Sequence, residues 1–166
     1  MSIRLRALEI SDIDRLYSVE NDSSLWKYSN RTHPYSKATL MDYIAQAHQD
    51  IYQAGQLRLA IANAQDEAVG FVDLFDFEPL HRRAGIGLVV CQEERNKGYA
   101  TTALQLLMTY SIEHLTMHQL YAGIAAENKE SIRLFEACGF EKTGHKKQWN
   151  FYEASYHDEY FYQKIL

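Results

Sequence analysis

The sequence predicts an α+β domain: a mixed, mostly antiparallel twisted sheet of about seven strands flanked by about four helices. Three observations lead there. Short segments such as Ile3–Leu8 and Leu57–Ala62 alternate or run apolar over strand lengths. Two stretches, from Lys37 and from Gly98, carry helical periodicity. The last third closes on two adjacent aromatic-rich segments that read as a hairpin. With 166 residues, two prolines and no Gly/Ser-rich tract, the chain reads as a single domain, 1–166.

Taken in order, Ile3–Leu8 alternates and predicts a strand. Ser11-Asp12-Ile13-Asp14 offers a helix start with acids in its first turn, and that helix runs to about Glu20. Asn21–Pro34 carries turn residues and is predicted irregular. Ser36 caps a second helix over Lys37–Ala54, ended by Gly55. Strands follow over Leu57–Ala62, Ala68–Phe77 and Arg82–Cys91, with Pro79 marking the intervening turn. A helix spans Gly98–Leu115, then a strand Gln119–Ala125, then a short helix opened by Asn128. Glu141–Phe151 and Tyr156–Ile165 form the closing hairpin.

The most informative segment is Arg95-Asn96-Lys97-Gly98-Tyr99-Ala100. A strand, a basic turn with one glycine and a helix start together make an anion site. The first N–H groups of a helix have no internal acceptor, and the dipole favours negative charge there. Gly98 lets the backbone approach, while Arg95 and Lys97 add charge at the rim. A pyrophosphate fits such a turn. The strand before it is unusual: Ile86, Leu88 and Val90 line one face, and Gly85, Gly87 and Val89 the other. Glycine in a strand marks either tight packing or close approach of a ligand, and both readings stay open here.

The spacing R-x-x-G-x-A (Arg95, Gly98, Ala100), followed about 30 residues later by N-x-x-S-x-x-x-F-x-x-x-G-F (Asn128–Phe140), resembles the GNAT acetyltransferases. The resemblance implies that acetyl-CoA is the co-substrate. It also implies that the 95–100 turn holds the diphosphate, that backbone groups of Leu88, Val89 and Val90 pair with the pantetheine arm, and that Asn128 contacts the same arm. The family's usual general-acid tyrosine falls at Phe135, which has no proton to donate; Phe135 can instead pack against the thiol end. Leu80-His81-Arg82-Arg83-Ala84 resembles the branch holding spermidine/diamine and ribosomal-protein N-terminal acetyltransferases. The polyamine enzymes of that branch carry an acid where Gly85 stands.

Acetyl transfer to an amine needs a polarised thioester carbonyl, which a backbone N–H near Val89 can supply. It also needs a deprotonated amine and reactants held together. The nearest carboxylates are Asp73, Asp76 and Glu78. Asp73 and Asp76 are taken as the catalytic candidates, drawing in the cationic amine and passing its proton to water; a solvated sheet edge is the plain alternative for each. The acceptor is expected to be a small-molecule amine or a peptide N-terminus. Because Phe135 stands at the acid position, a catalytically idle acyl-CoA-binding module is the alternative.

Composition sets the remaining expectations. A net charge of −5 argues against nucleic acid. No apolar run reaches membrane length, and the N-terminus has no signal-peptide core. Two cysteines make neither a disulfide framework nor a metal cluster, so a cytoplasmic location without metal is expected. The absence of a G-x-x-x-x-G-K-[ST] run argues against phosphoryl transfer. Trp149, Phe151, Tyr152, Tyr156, Tyr160, Phe161 and Tyr162 either complete the core or offer a homodimer face.

Overall fold

The computed structural model describes residues 2–166. Seven strands form one sheet: β1 (Arg4–Arg6), β2 (Leu57–Ala62), β3 (Ala68–Glu78), β4 (Arg83–Val90), β5 (Gln119–Ala125), β6 (Glu141–Tyr152) and β7 (Ser155–Ile165), in the spatial order 1-2-3-4-5-7-6. Every neighbouring pair is antiparallel except β4 and β5. A parallel pair needs a crossover. The helix over Tyr99–Glu113 supplies it between β4 and β5.

Six helices flank the sheet, two more than the sequence predicts: α1 (Ile13–Glu20), α2 (Ser23–Ser29), α3 (Lys37–Gln46), α4 (Ile51–Ala54), α5 (Tyr99–Glu113) and α6 (Lys129–Ala137). Both extra helices have local causes. The stretch predicted irregular contains α2, because the Asp22 side chain accepts the Ser24 N–H at 3.0 Å and starts a helix. The helix predicted over Lys37–Ala54 is two. Ser36 caps the first, the chain leaves helical geometry after Gln46, and Asp50 caps a new turn by accepting from Gln53 N–H at 2.9 Å. Gly55 ends it at φ +70°, where a left-handed residue is required.

Period two divides the sheet into two faces. On the first, Val72, Leu74, Ala84, Ile86, Leu120 and Ile124 pack against α5 (Ala103, Leu104, Leu107) and α6 (Phe135) in the larger core. On the second, Phe71 and Ala60 pack against Leu16 of α1 and Leu40 and Ile44 of α3, with Val89 alongside. The helices on the second face therefore cover its β1–β3 part. Across β4, β5 and β7 that face is floored by Phe75, Tyr121 and Phe161, all partly exposed. The hairpin aromatics split between the two expectations. Tyr162 is in the core, whereas Trp149, Phe151 and Tyr156 are exposed.

Candidate active site

The site begins where β4 and β5 part. They pair only through Arg83–Gln119, Ala84–Leu120 and Gly85–Tyr121. Beyond that point β4 continues to Val90 along β3, and β5 continues to Ala125 along β7, with no register between them. A wedge opens in mid-sheet. Leu88, Val89 and Val90 form its β4 wall and expose strand backbone toward it. A flat or extended group entering there can accept and donate as an added strand would.

The turn after β4 leads to the open end of α5. A short 3₁₀ turn, Gln92–Glu94, brings the chain round; Asn96 takes φ +61° and Gly98 φ +81°. Gly98 is the N-cap of α5, and no side chain closes that end among the described residues. The first helical bond is Thr102 N–H to the Gly98 carbonyl at 3.4 Å. The N–H groups of Tyr99, Ala100 and Thr101 therefore have no helical acceptor and face outward. Tyr99 contributes through its backbone alone, since its side chain is buried in the core. Arg95 Nε donates to the Val90 carbonyl at 3.2 Å, tying the turn to the wedge. Lys97 is exposed and paired with Glu94 at 2.8 Å. A cleft of about 290 Å³, lined by Arg15, Val19, Leu25, Val90, Gln92 and Arg95, borders the turn.

Helix α6 flanks the same wedge from the other side. Asn128 caps it, its side chain accepting from Ser131 N–H at 3.3 Å. Phe135 is almost fully buried, edge-on to Phe140 at 4.9 Å. Tyr162 lies in the same core. Burial, and then the hydrogen bond it donates to Glu136, push its hydroxyl up to about 12. That proton is committed to Glu136.

The second face carries the charged groups. Asp73 lies opposite Gly87 in the register and receives both Arg58 Nε (2.6 Å) and Nη2 (3.1 Å). Arg58 also reaches Glu20, which in turn pairs with Arg31. Burial opposes the charge on Arg58, but Asp73 and Glu20 outweigh it and raise its pKa, so the guanidinium stays charged. Asp73 is thus held in a two-acid, two-arginine chain. Asp76 does not follow the alternation of the strand. A bulge interrupts β3 between Phe75 and Glu78, Asp76 sits in it at φ +48°, and its side chain is exposed. It still acts on the aromatic floor: burial first, then Asp76 and Glu78, raise the pKa of Tyr121. The glycines resolve separately. A Cβ on Gly85 would lie 2.3 Å from the Phe75 ring, so Gly85 serves packing, whereas at Gly87 the nearest atom is 3.9 Å away.

Sequence reasoning missed three features. A cleft of about 560 Å³ lies between α2 and the hairpin tip, lined by Trp26, Lys27, Asn30, Arg31, Asn150 and Phe151 among others. Lys27 closes one side of it, reaching Glu153 at 3.1 Å and Glu127 at 3.9 Å. Tyr152 stacks on His157 at 3.8 Å and donates to Glu127 at 2.8 Å. Burial and then that bond lift the Tyr152 hydroxyl above the usual phenol range, so it remains a donor. The third is Glu159 on β7, whose carboxylate leans over Gly123 of β5. Gly123 was the available signal, a glycine in an otherwise apolar strand.

The protein-family model for the acetyltransferase (GNAT) domain matches residues 2–141. Among curated proteins, the spermidine N(1)-acetyltransferase of Vibrio cholerae is 28% identical over 94% of this chain and 88% of its own length. The putative ribosomal N-acetyltransferase YdaF of Bacillus subtilis is 25% identical over 98% of this chain and 91% of its own. The crystal structure of the Vibrio cholerae spermidine N-acetyltransferase in complex with CoA and spermine superposes with a TM-score of 0.88 at 26% identity, covering 98% of this chain and 95% of that one.

Proposed function

Since the chain belongs to the GNAT acetyltransferase family, and so transfers the acetyl group of acetyl-CoA to an amine, we propose how its own residues divide that work. The observation that carries the proposal is the mid-sheet wedge lying beside the unclosed N-terminus of α5. The diphosphate binds beside Gly98 at the N–H groups of Tyr99, Ala100 and Thr101 and at the turn residues Asn96 and Lys97, with Arg95 bracing the turn against Val90. The pantetheine arm runs along Leu88, Val89 and Val90, flanked by Asn128 and Phe135. The fit is chemical: unpaired donors meet phosphate oxygens, and unpaired strand backbone meets amides.

The acceptor amine approaches from the second face, because α5 and α6 cover the first. Its ammonium gives up a proton to water. The freed lone pair attacks the thioester carbon, a C–N bond forms, the nitrogen sheds its second proton to water, the C–S bond breaks, and the thiolate leaves with the electron pair and takes a proton from solvent. Phe135 supplies none. A backbone N–H near Val89 polarises the carbonyl. Asp76, exposed at the bulge, lends negative potential to the approach, while Asp73 is held by Arg58. The relatives' names point to small cationic amines, with polyamines the first class to test and a peptide N-terminus the second. Trp149, Phe151 and Tyr156 are the residues available for a homodimer face.

The test has two arms. Calorimetry with acetyl-CoA should give saturable binding, and thiol release should appear only when spermidine, a monoamine or a short peptide is added. Binding without release across all three acceptor classes would return the chain to an idle acyl-CoA-binding module.

A further inference from the structure

We infer that Glu159 is the residue that receives the acceptor's ammonium, and that the Lys146 ammonium keeps its place until the acceptor arrives. This rests on the acceptor approaching across the second face, as proposed above.

The argument starts from the register. The last paired residues of the wedge are Gly85 and Tyr121, and the next residues on the same face are Gly87 and Gly123. Neither glycine puts a side chain on the floor of the wedge where the two strands separate. A carboxylate lies beside each: Asp73 on the β3 side of Gly87, and Glu159 on the β7 side of Gly123. At Gly123 the approach is close, since a Cβ would stand 2.9 Å from the Glu159 carboxylate. Glycine is needed there for Glu159 to lie flat against β5.

The two carboxylates are held differently. Asp73 is gripped bidentately by Arg58, itself anchored by Glu20. Glu159 is held by Lys146 Nζ at 3.3 Å and Asn150 Nδ2 at 3.3 Å, both long contacts. A single ammonium on a flexible stem exchanges for another ammonium more readily than a guanidinium fork does. Lys146 also stands 5.6 Å from the Phe161 ring centre. Phe161 stacks on Tyr121 at 5.4 Å. An ammonium over an aromatic floor beside a carboxylate is the environment an incoming primary amine would seek. The chain already places one of its own there.

The test measures steady-state kinetics with acetyl-CoA and each of spermidine, tyramine and a short peptide. With any acceptor that turns over, Glu159→Gln should raise the amine KM about tenfold or more while leaving the acetyl-CoA KM in place, and Glu159→Asp should recover part of the loss. Lys146→Met should move the amine KM the other way, which a merely structural ion pair would not do. Gly123→Ala, which displaces the carboxylate without removing it, should mimic Glu159→Gln. An amine KM within about twofold of the parent in Glu159→Gln overturns the inference while leaving acetyl transfer intact. Acetyl-CoA binding with no turnover of any of the three amines overturns it together with the acceptor reading.

Discussion

Two helix N-termini face the wedge, and they are finished in opposite ways. At α6 the side chain of Asn128 folds back and accepts a backbone N–H. At α5 the cap is a left-handed glycine with nothing to offer, and the end stays open. A glycine cap costs helix stability of only about a few tenths of a kcal/mol relative to a side-chain cap. The stability forgone at α5 leaves three donors free for a ligand, so the same local chemistry serves folding at one helix and binding at the other.

Ala100→Asp breaks this contrast most sharply. It puts a carboxylate in the first turn of α5, where the dipole favours it. The helix should be as stable as before or more so. Acetyl-CoA affinity should fall about a thousandfold, because a negative charge about 4 Å from a phosphate costs about 4 kcal/mol at intermediate dielectric. Calorimetry and a thermal melt on the same protein check both halves. Lost affinity with a lowered melting temperature would mean that the turn was merely damaged.

A third helix start, that of α1, has no side-chain cap of its own, and charge fixes the turn before it instead. Asp12, at the entry to α1, is buried and accepts from Arg6 at 2.8 and 2.9 Å and from Glu9 N–H at 2.8 Å. Burial alone would raise its pKa, but Arg6 and the Glu9 N–H outweigh that and hold the carboxyl below its ordinary value of 3.8. A depressed folded pKa means that the contribution is complete above the unfolded value and is lost as pH falls through the folded one. The melting temperature should therefore drop as pH is lowered beneath 3.8. Asp12→Asn should cost about 3 kcal/mol at neutral pH and flatten that acid limb. An unaltered pH profile in the variant would assign the limb to other carboxylates.

How far the sequence could be read follows from the range of the interactions. β2 and β5 lie where the pattern places them, because apolar alternation and flanking turns are local. The open end of α5 was legible for the same reason: Arg95, Gly98 and Ala100 sit within one turn. The start of α2 was not. Ser23-Ser24-Leu25-Trp26 is a poor helix former, and it is the Asp22 cap that tips the balance. The setting of Asp76 was not legible, because a bulge shifts the period of two by a residue, which alternation cannot foresee. Glu159 was invisible for a different reason. Its partner Gly123 belongs to another strand, and only the β5–β7 pairing brings the two together.

Phe135 sharpens the contrast on the catalytic side. Phe135→Tyr restores a hydroxyl at the position where the family's general acid falls. The expected gain in kcat is about tenfold, less than general acids usually give because coenzyme A thiolate leaves readily. The site is nearly closed, so the new hydroxyl must find a partner, and a small drop in melting temperature is expected alongside. A kcat unchanged under saturating substrates would mean that the departing sulfur takes its proton by another route.

The smallest effect is the one that tests the reading of α6. Asn128→Ala should remove about 1 kcal/mol of stability by leaving the Ser131 N–H without its acceptor. If Asn128 only caps, acetyl-CoA affinity should stay put. If it also touches the pantetheine arm, as proposed, affinity should fall about fivefold, the scale of one neutral hydrogen bond. Asn128→Asp separates the two roles, since aspartate caps as well as asparagine but has no N–H to give. A protein with wild-type melting and weakened cofactor binding would assign the amide nitrogen to the ligand. Equal binding in both variants would make α6 a purely structural end, leaving the diphosphate turn to carry the cofactor without it.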